Sequence, residues 1–216
     1  MRNAEFAETV LRRLGKRYGI ELHTQLKHQN MIDLFVAVIL SPQSTDVQTN
    51  KTTKKLFRRF RSFEDYANAD PRTLRRYLSG MNYYKTKAKH LRESARMILE
   101  RFDGKVPRTL NELMELPGVG RKVANVVLNE GYGIDEGIAI DTHAGRVARR
   151  LGFSRSKNPY KIEKAVMAAY PQNEWGRVSN ALIELGRDTC KARNKECYRC
   201  ALKDICPSSD VKPNKN

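Results

Sequence analysis

No stretch of the 216 residues is apolar enough to cross a bilayer. The longest such run, Met31 to Leu40, is interrupted by Asp33 and is far shorter than the ~18 residues a membrane helix needs. The amino-terminal stretch carries Arg2, Glu5 and Glu8 and has no apolar core followed by a cleavage site, so a secretory leader is not expected. The expected location is intracellular: cytoplasmic and nucleoid-associated, or nuclear. Cysteine does not occur before position 190, which argues against a disulfide-framed secreted scaffold. Paired runs of alternating apolar and polar residues around a tight turn are missing as well, which removes folds built on β-hairpins. There is no internal repeat, no flavin or nicotinamide motif, and no low-complexity segment apart from a Lys, Pro and Asn tail after Cys206, expected to be disordered.

Acidic residues are also few. Against 24 Asp plus Glu stand 41 Lys plus Arg, for a formal net charge of +17, the electrostatic footprint of a protein that meets a polyanion. Nucleic acid is the leading partner; a basic surface kept for solubility is the alternative.

The apolar residues recur at helical spacing almost throughout. Helices are expected over 3–18, 31–40, about 46–59, 63–69, 71–78, 85–102, 107–113, about 120–130, 142–151, 159–169 and from Trp175 towards Cys190. Within them Val47, Leu56 and Phe57 are read as the apolar face of the third, and Gly131 as the stop of the eighth. Ser44 or Thr45, and Asn158, are placed to cap. So many short helices on one basic chain make an all-α protein.

The run Leu116-Pro117-Gly118-Val119-Gly120-Arg121-Lys122 reads as helix, hairpin, helix. Gly118 and Gly120 let the backbone come close to a ligand, and the first turn of the second helix offers amide N–H groups and the positive dipole end to a phosphate. Lys122 sits in that turn beside Arg121. Both neighbours disfavour an ammonium, so a neutral, nucleophilic amine is one reading and a solvated lysine on a DNA-facing helix the other.

Asp141 follows the apolar triplet Ile138-Ala139-Ile140 and precedes a helix. It reads as an N-cap that stays ionised because amides donate to it, and an ionised carboxylate near Lys122 would steady a developing cation or move protons. The four cysteines Cys190, Cys197, Cys200 and Cys206 follow a C-x6-C-x2-C-x5-C spacing with the basic residues Lys191, Arg193 and Lys195 in its first loop. That pattern leaves an iron–sulfur cluster, zinc and free thiols open, in that order. A structural metal staple fixing a basic loop against DNA is the expected role.

Taken together, the hairpin with its lysine, the Ile140-Asp141-Thr142-His143 step and the cysteine tail resemble the endonuclease III family of base-excision DNA glycosylases, from about residue 30 to Cys206. The resemblance implies a two-lobed helix-hairpin-helix fold with DNA in the groove between lobes: a helical barrel over 23–131, and a second lobe of 1–22 and 132–216 whose 190–206 loop carries a [4Fe-4S] cluster. It implies a monomer in which Lys122 attacks C1′ of a flipped nucleotide with help from Asp141, excising oxidised pyrimidines and nicking 3′ of the abasic site by β-elimination. Gln43 resembles the family's wedge glutamine, Met81 or Tyr83 its second wedge, and Asp46 and His143 would lie near the pocket. Two departures stand out. The Gly80-Met81-Asn82-Tyr83-Tyr84 loop is longer than the family's usual form, and one extra residue separates Lys122 from Asp141, placed by this reading in 131–137. The rival readings are a monofunctional mismatch glycosylase, which usually lacks the lysine, and a non-catalytic helix-hairpin-helix DNA-binding protein, which needs neither Lys122 nor Asp141.

Overall fold

Side chains start most of the helices in this protein. In the computed structural model, which describes residues 4–19 and 23–211, Asn30, Thr45, Ser62, Asp70, Thr109, Asp141 and Asn158 each accept a hydrogen bond from an amide of the first turn they precede, satisfying donors a helix cannot pair internally. The helices are α1 (Ala4–Tyr18), α2 (Met31–Leu40), α3 (Asp46–Arg59), α4 (Phe63–Ala67), α5 (Pro71–Leu78), α6 (Tyr84–Arg101), α7 (Leu110–Glu115), α8 (Arg121–Tyr132), α9 (Thr142–Arg150), α10 (Pro159–Met167) and α11 (Trp175–Asp188). Among the described residues there is no strand, so the all-α expectation holds. Among the described residues no helix is long and apolar enough to cross a membrane.

The chain divides into two compact units. One is Thr24–Ile134; the other combines Met1–His23 with Asp135–Asn216. In the first, α2 is buried from Asp33 to Leu40 and packs with α3, α6 and α8. Around it gather Leu56, Phe63, Tyr66, Leu74, Leu91, Ile98 and Val127. In the second, α1 packs on α11, and α11 on α9, closing a core of Val10, Leu14, Val147, Ile162, Val178 and Leu182.

Four expectations change. Val47 is 80% exposed; α3 instead buries Thr49, Thr52 and Thr53 with Leu56, and small β-branched hydroxyl residues are a weak hydrophobic signal. The helix expected at 107–113 begins only at Leu110, because Thr109 supplies the cap. Gly131 does not end α8. It lies inside the helix where α2 comes closest: a Cβ there would stand 2.4 Å from Met31 Cε and 3.0 Å from Leu34 Cδ2. The helix stops at Gly133, whose φ of +65° is left-handed and whose amide bonds back to Asn129. The fourth change concerns Met81 and belongs to the site below. The start of the first helix at residue 3, and the end of the tail beyond Val211, lie outside the described residues.

Candidate active site

In the unit Thr24–Ile134 the hairpin is pinned from inside and open outside. Leu116 and Val119 are buried, and the Val119 amide donates to the Leu116 carbonyl at 3.0 Å. Ser94 Oγ on α6 donates to the Pro117 carbonyl at 2.7 Å. Gly118 and Gly120 both face outward for different reasons. Gly118 has φ +83°, and a Cβ would fall 2.8 Å from His90 Nδ1, so internal structure demands glycine there. Gly120 has φ −91° and nothing within 4 Å of where a Cβ would be. No steric contact inside the protein requires glycine at 120; it suits the N-cap and also leaves room for close approach from outside. Gly120 is the N-cap of α8 without a side-chain cap, and Arg121 and Lys122, both half-buried, occupy the first turn behind it. Amides, dipole and two cations converge there on an anion-binding end.

Two turns of the same unit are linked. The 41–45 turn carries Gln43, exposed and at φ +60°; the 80–83 turn carries Tyr83, 69% exposed and at φ +55°. Asn82 Nδ2 donates to the Gln43 carbonyl at 2.8 Å, and Gln48 Nε2 to the Gly80 carbonyl at 3.0 Å. Asp46 opens α3 beside this turn, half-buried. Met81, expected to touch DNA, is only 4% exposed and belongs to the core. The turn buries Met81 and leaves Asn82 and Tyr83 exposed, which makes Tyr83 the candidate tip.

Lys87 does not stand out in the sequence. It is 8% exposed, its Nζ donates to Ser44 Oγ at 2.8 Å, and burial pushes its ammonium down to about 8. A signal exists, since Lys87 lies in the buried row of α6 that continues through Leu91, Ala95 and Ile98. Also unforeseen is a cleft of ≈ 410 Å³ walled by Lys51, Lys55, Arg76 and Gln48.

The second unit positions the acid and the thiols. Asp141 caps α9, and its Oδ1 accepts from the His143 amide at 2.8 Å and the Ala144 amide at 2.7 Å. Gly186 lets α11 pass close to that end, for a Cβ there would lie 2.8 Å from His143 Cβ. Arg146 gathers the site: Nη2 donates to the Gly186 carbonyl at 2.7 Å and lies 3.2 Å from His143 Nδ1, while Nε donates to the Cys190 carbonyl at 2.9 Å. Burial lowers its pKa. One turn on, Arg150 Nη1 meets Cys190 Sγ at 3.3 Å and the Lys191 carbonyl at 2.7 Å. Sequence reasoning singles out neither arginine, though their spacing of four on the helix after Asp141 aims both at one face.

All four cysteines are half-buried and unpaired, and they line one cavity with Val147, Leu151, Leu185, Leu202 and the cations Arg150, Lys195 and Lys203. Among the described residues no three His, Cys, Asp or Glu side chains are grouped as a site for a single metal ion. Of the basic residues in the first cysteine loop, Lys191 is paired with Glu196 and Arg193 is exposed. Lys122 and Asp141 are carried by different units.

Known proteins resemble this chain in sequence and fold. The family described as HhH-GPD superfamily base excision DNA repair protein matches residues 36–172. Endonuclease III of Bacillus subtilis is 37% identical over 216 residues, covering all of this chain and 98% of the relative. That of Synechocystis is 40% identical over 186 residues, 86% of this chain and 85% of the relative. Among solved structures, a trapped endonuclease III–DNA covalent intermediate superposes with a TM-score of 0.90 at 36% identity, covering 96% of this chain and 97% of that one. A thermostable thymine-DNA glycosylase shares the fold at a TM-score of 0.81 and 19% identity.

Proposed function

As a member of the HhH-GPD superfamily of base excision DNA repair proteins, in its endonuclease III family, this chain is a DNA glycosylase and abasic-site lyase, and we propose that it excises oxidised pyrimidines with Lys122 as nucleophile and Asp141 as its acidic partner. The observation that carries the residue assignment is the hairpin end, where an N-cap glycine with open space on its outer side stands directly before Arg121 and Lys122. A phosphate received by that end would hold the backbone while the lysine reaches the sugar.

In this reading the damaged nucleotide leaves the stack, since its C1′ is out of reach inside the duplex. Gln43 and Tyr83 fill the space it vacates. The neutral Lys122 amine bonds to C1′ as the glycosidic bond breaks, and the base departs with the bonding electrons and takes up a proton. Asp141, held in place by its two amide donors, accepts the lysine proton and steadies the cationic sugar. Ring opening gives a C1′ iminium. Loss of a C2′ proton then expels the 3′ phosphate by breaking the C3′–O bond, and water releases Lys122. Asp46, beside the Gln43 turn, and His143, beside Asp141, meet the DNA, Gly118, Gly120 and Arg121 hold phosphate, and the exposed Arg193 and the cleft of Lys51, Lys55 and Arg76 add backbone contacts on duplex DNA, bound by a monomer.

The family implies a [4Fe-4S] cluster, and the residues fit one. Cys190, Cys197, Cys200 and Cys206 supply four sulfur ligands around one cavity, apolar walls limit water, and Arg150, Lys195 and Lys203 offset negative charge. Such a group would contribute stability to the loop.

Borohydride reduction tests the nucleophile. A covalent complex with DNA containing an oxidised pyrimidine is expected for the native chain and none for Lys122→Gln; trapping that persists in Lys122→Gln overturns the assignment.

A further inference from the structure

Lys87 sits where a methionine would cost less. Its neighbours along the buried row of α6 are Ala88, Leu91 and Ala95, and its ammonium donates to the neutral hydroxyl of Ser44 at 2.8 Å. Burying a charge against a hydroxyl is unfavourable. What it secures is the position of Ser44, next to Gln43.

Gln43 and Tyr83 are both left-handed without being glycine, at φ +60° and φ +55°. Such conformations each cost on the order of 1 kcal/mol and persist where the surroundings over-determine them. The surroundings here are three bonds, one between the two turns and two to the helices behind them. Asn82 Nδ2 holds the carbonyl of Gln43 itself at 2.8 Å, Lys87 holds Ser44, and Gln48 Nε2 holds the Gly80 carbonyl at 3.0 Å. Within each turn the Ser44 amide closes on the Ser41 carbonyl at 3.0 Å and the Met81 amide on the Leu78 carbonyl at 2.9 Å, and buried Met81 roots the second turn in the core. Both tips are exposed and everything behind them is tied down.

We propose that Asn82 and Lys87 are positioning residues that lock the Gln43 turn and the Tyr83 turn into one two-tipped wedge, so that both side chains enter the duplex as a single rigid body. The unusual length of the second turn acquires a purpose: it supplies Asn82, the residue that bridges to the first. The proposal rests on the reading of Gln43 and Tyr83 as the groups that fill the vacated stack. A clamp of this kind acts on insertion and leaves the chemistry of Lys122 alone, so its loss reads out as less unstacking, a lower kcat on duplex and a lower ratio of duplex to single-strand nicking.

The experiment uses the full-length holoprotein and a duplex with 2-aminopurine beside a tetrahydrofuran abasic analogue, whose fluorescence rises on unstacking. It is paired with nicking rates on duplex and single-stranded abasic DNA. Asn82→Asp, which removes the donor at an exposed position, and Lys87→Met, which keeps the length and removes the donor, are each expected to cut the fluorescence rise at least severalfold and lower the duplex to single-strand ratio about tenfold. Lys87→Met should do so without a fall in melting temperature, an outcome no merely structural role would give. If Gln43→Ala and Tyr83→Ala lose the signal while Asn82→Asp and Lys87→Met keep it, the clamp is overturned and the wedge stands. If all four keep it, the wedge reading fails and takes the clamp with it. Should Lys87→Met not fold, Asn82→Asp decides alone.

Discussion

Arg150 Nη1 donates to the carbonyl of Lys191 at 2.7 Å, and through that bond the helix opened by Asp141 is fastened at its far end to the cysteine loop. Arg146 repeats the fastening one turn earlier, on Cys190. The acid and the loop therefore share one mounting. Arg150→Ala is expected to loosen the loop, since it removes the bonds to the Lys191 and Cys190 carbonyls, each worth about 0.5–1.5 kcal/mol. Iron release into a chelator, followed by the fading of the visible absorption, should be several times faster than in the native protein; an unchanged rate would show the loop to be held by other contacts.

The two hairpin glycines should fail in opposite ways. Gly118→Ala puts a Cβ 2.8 Å from His90 Nδ1 at a left-handed φ, and a destabilisation above about 1 kcal/mol is expected in thermal melts. Gly120→Ala meets open space at φ −91°, so its stability cost should stay below about 1 kcal/mol, of the size expected for a poorer N-cap. Its affinity for abasic duplex, read by fluorescence anisotropy, should nevertheless fall tenfold or more, because the methyl would stand in the path of the proposed phosphate. Native affinity in Gly120→Ala would remove the phosphate from that position.

Lys87 gives stability a signature at alkaline pH. Its folded pKa of about 8 lies below the ordinary lysine value of 10.5, so between those two values the unfolded chain binds more protons than the folded one. Stability from this residue therefore rises with pH through that window, and the penalty is fully present below about 8. Urea midpoints measured from pH 7 to 10 should show this upward component in the native protein and lose it in Lys87→Met. Parallel profiles for the two would mean that the amine is not desolvated.

The basic cleft should show itself in salt dependence. Replacing Lys51 and Arg76 by alanine together is expected to reduce the slope of log affinity against log salt by roughly 0.9 for each phosphate no longer neutralised. Single-turnover excision at saturating protein should change little. An unchanged slope would place the cleft away from DNA.

Much of this is readable from periodicity and caps. Asp141 as an N-cap, the hairpin before Lys122 and the four clustered cysteines depend on local rules that hold whatever packs around them. What escapes depends on partners distant in sequence. Gly131 looks like a stop because nothing local reveals that Met31 presses against it; Val47 looks apolar-facing because three threonines do the burying instead. Lys87, Arg146 and Arg150 carry charge, and charge reads as surface until the structure shows each one spanning to a loop 40 or more residues away in the chain.

The second unit is built from both ends of the chain, with α1 lying against α11. During synthesis the apolar side of α1, with Ala7, Val10, Leu11 and Leu14, emerges long before its cover exists, whereas the unit Thr24–Ile134 has all its parts by the time Ile134 is made. The lysine-bearing unit can thus fold first, as domains emerging from the ribosome generally do, and the acid-bearing unit closes last. A chain cut short before Trp175 would present a finished hairpin together with an uncovered helix, and such a fragment is matter for chaperones and proteases rather than for repair.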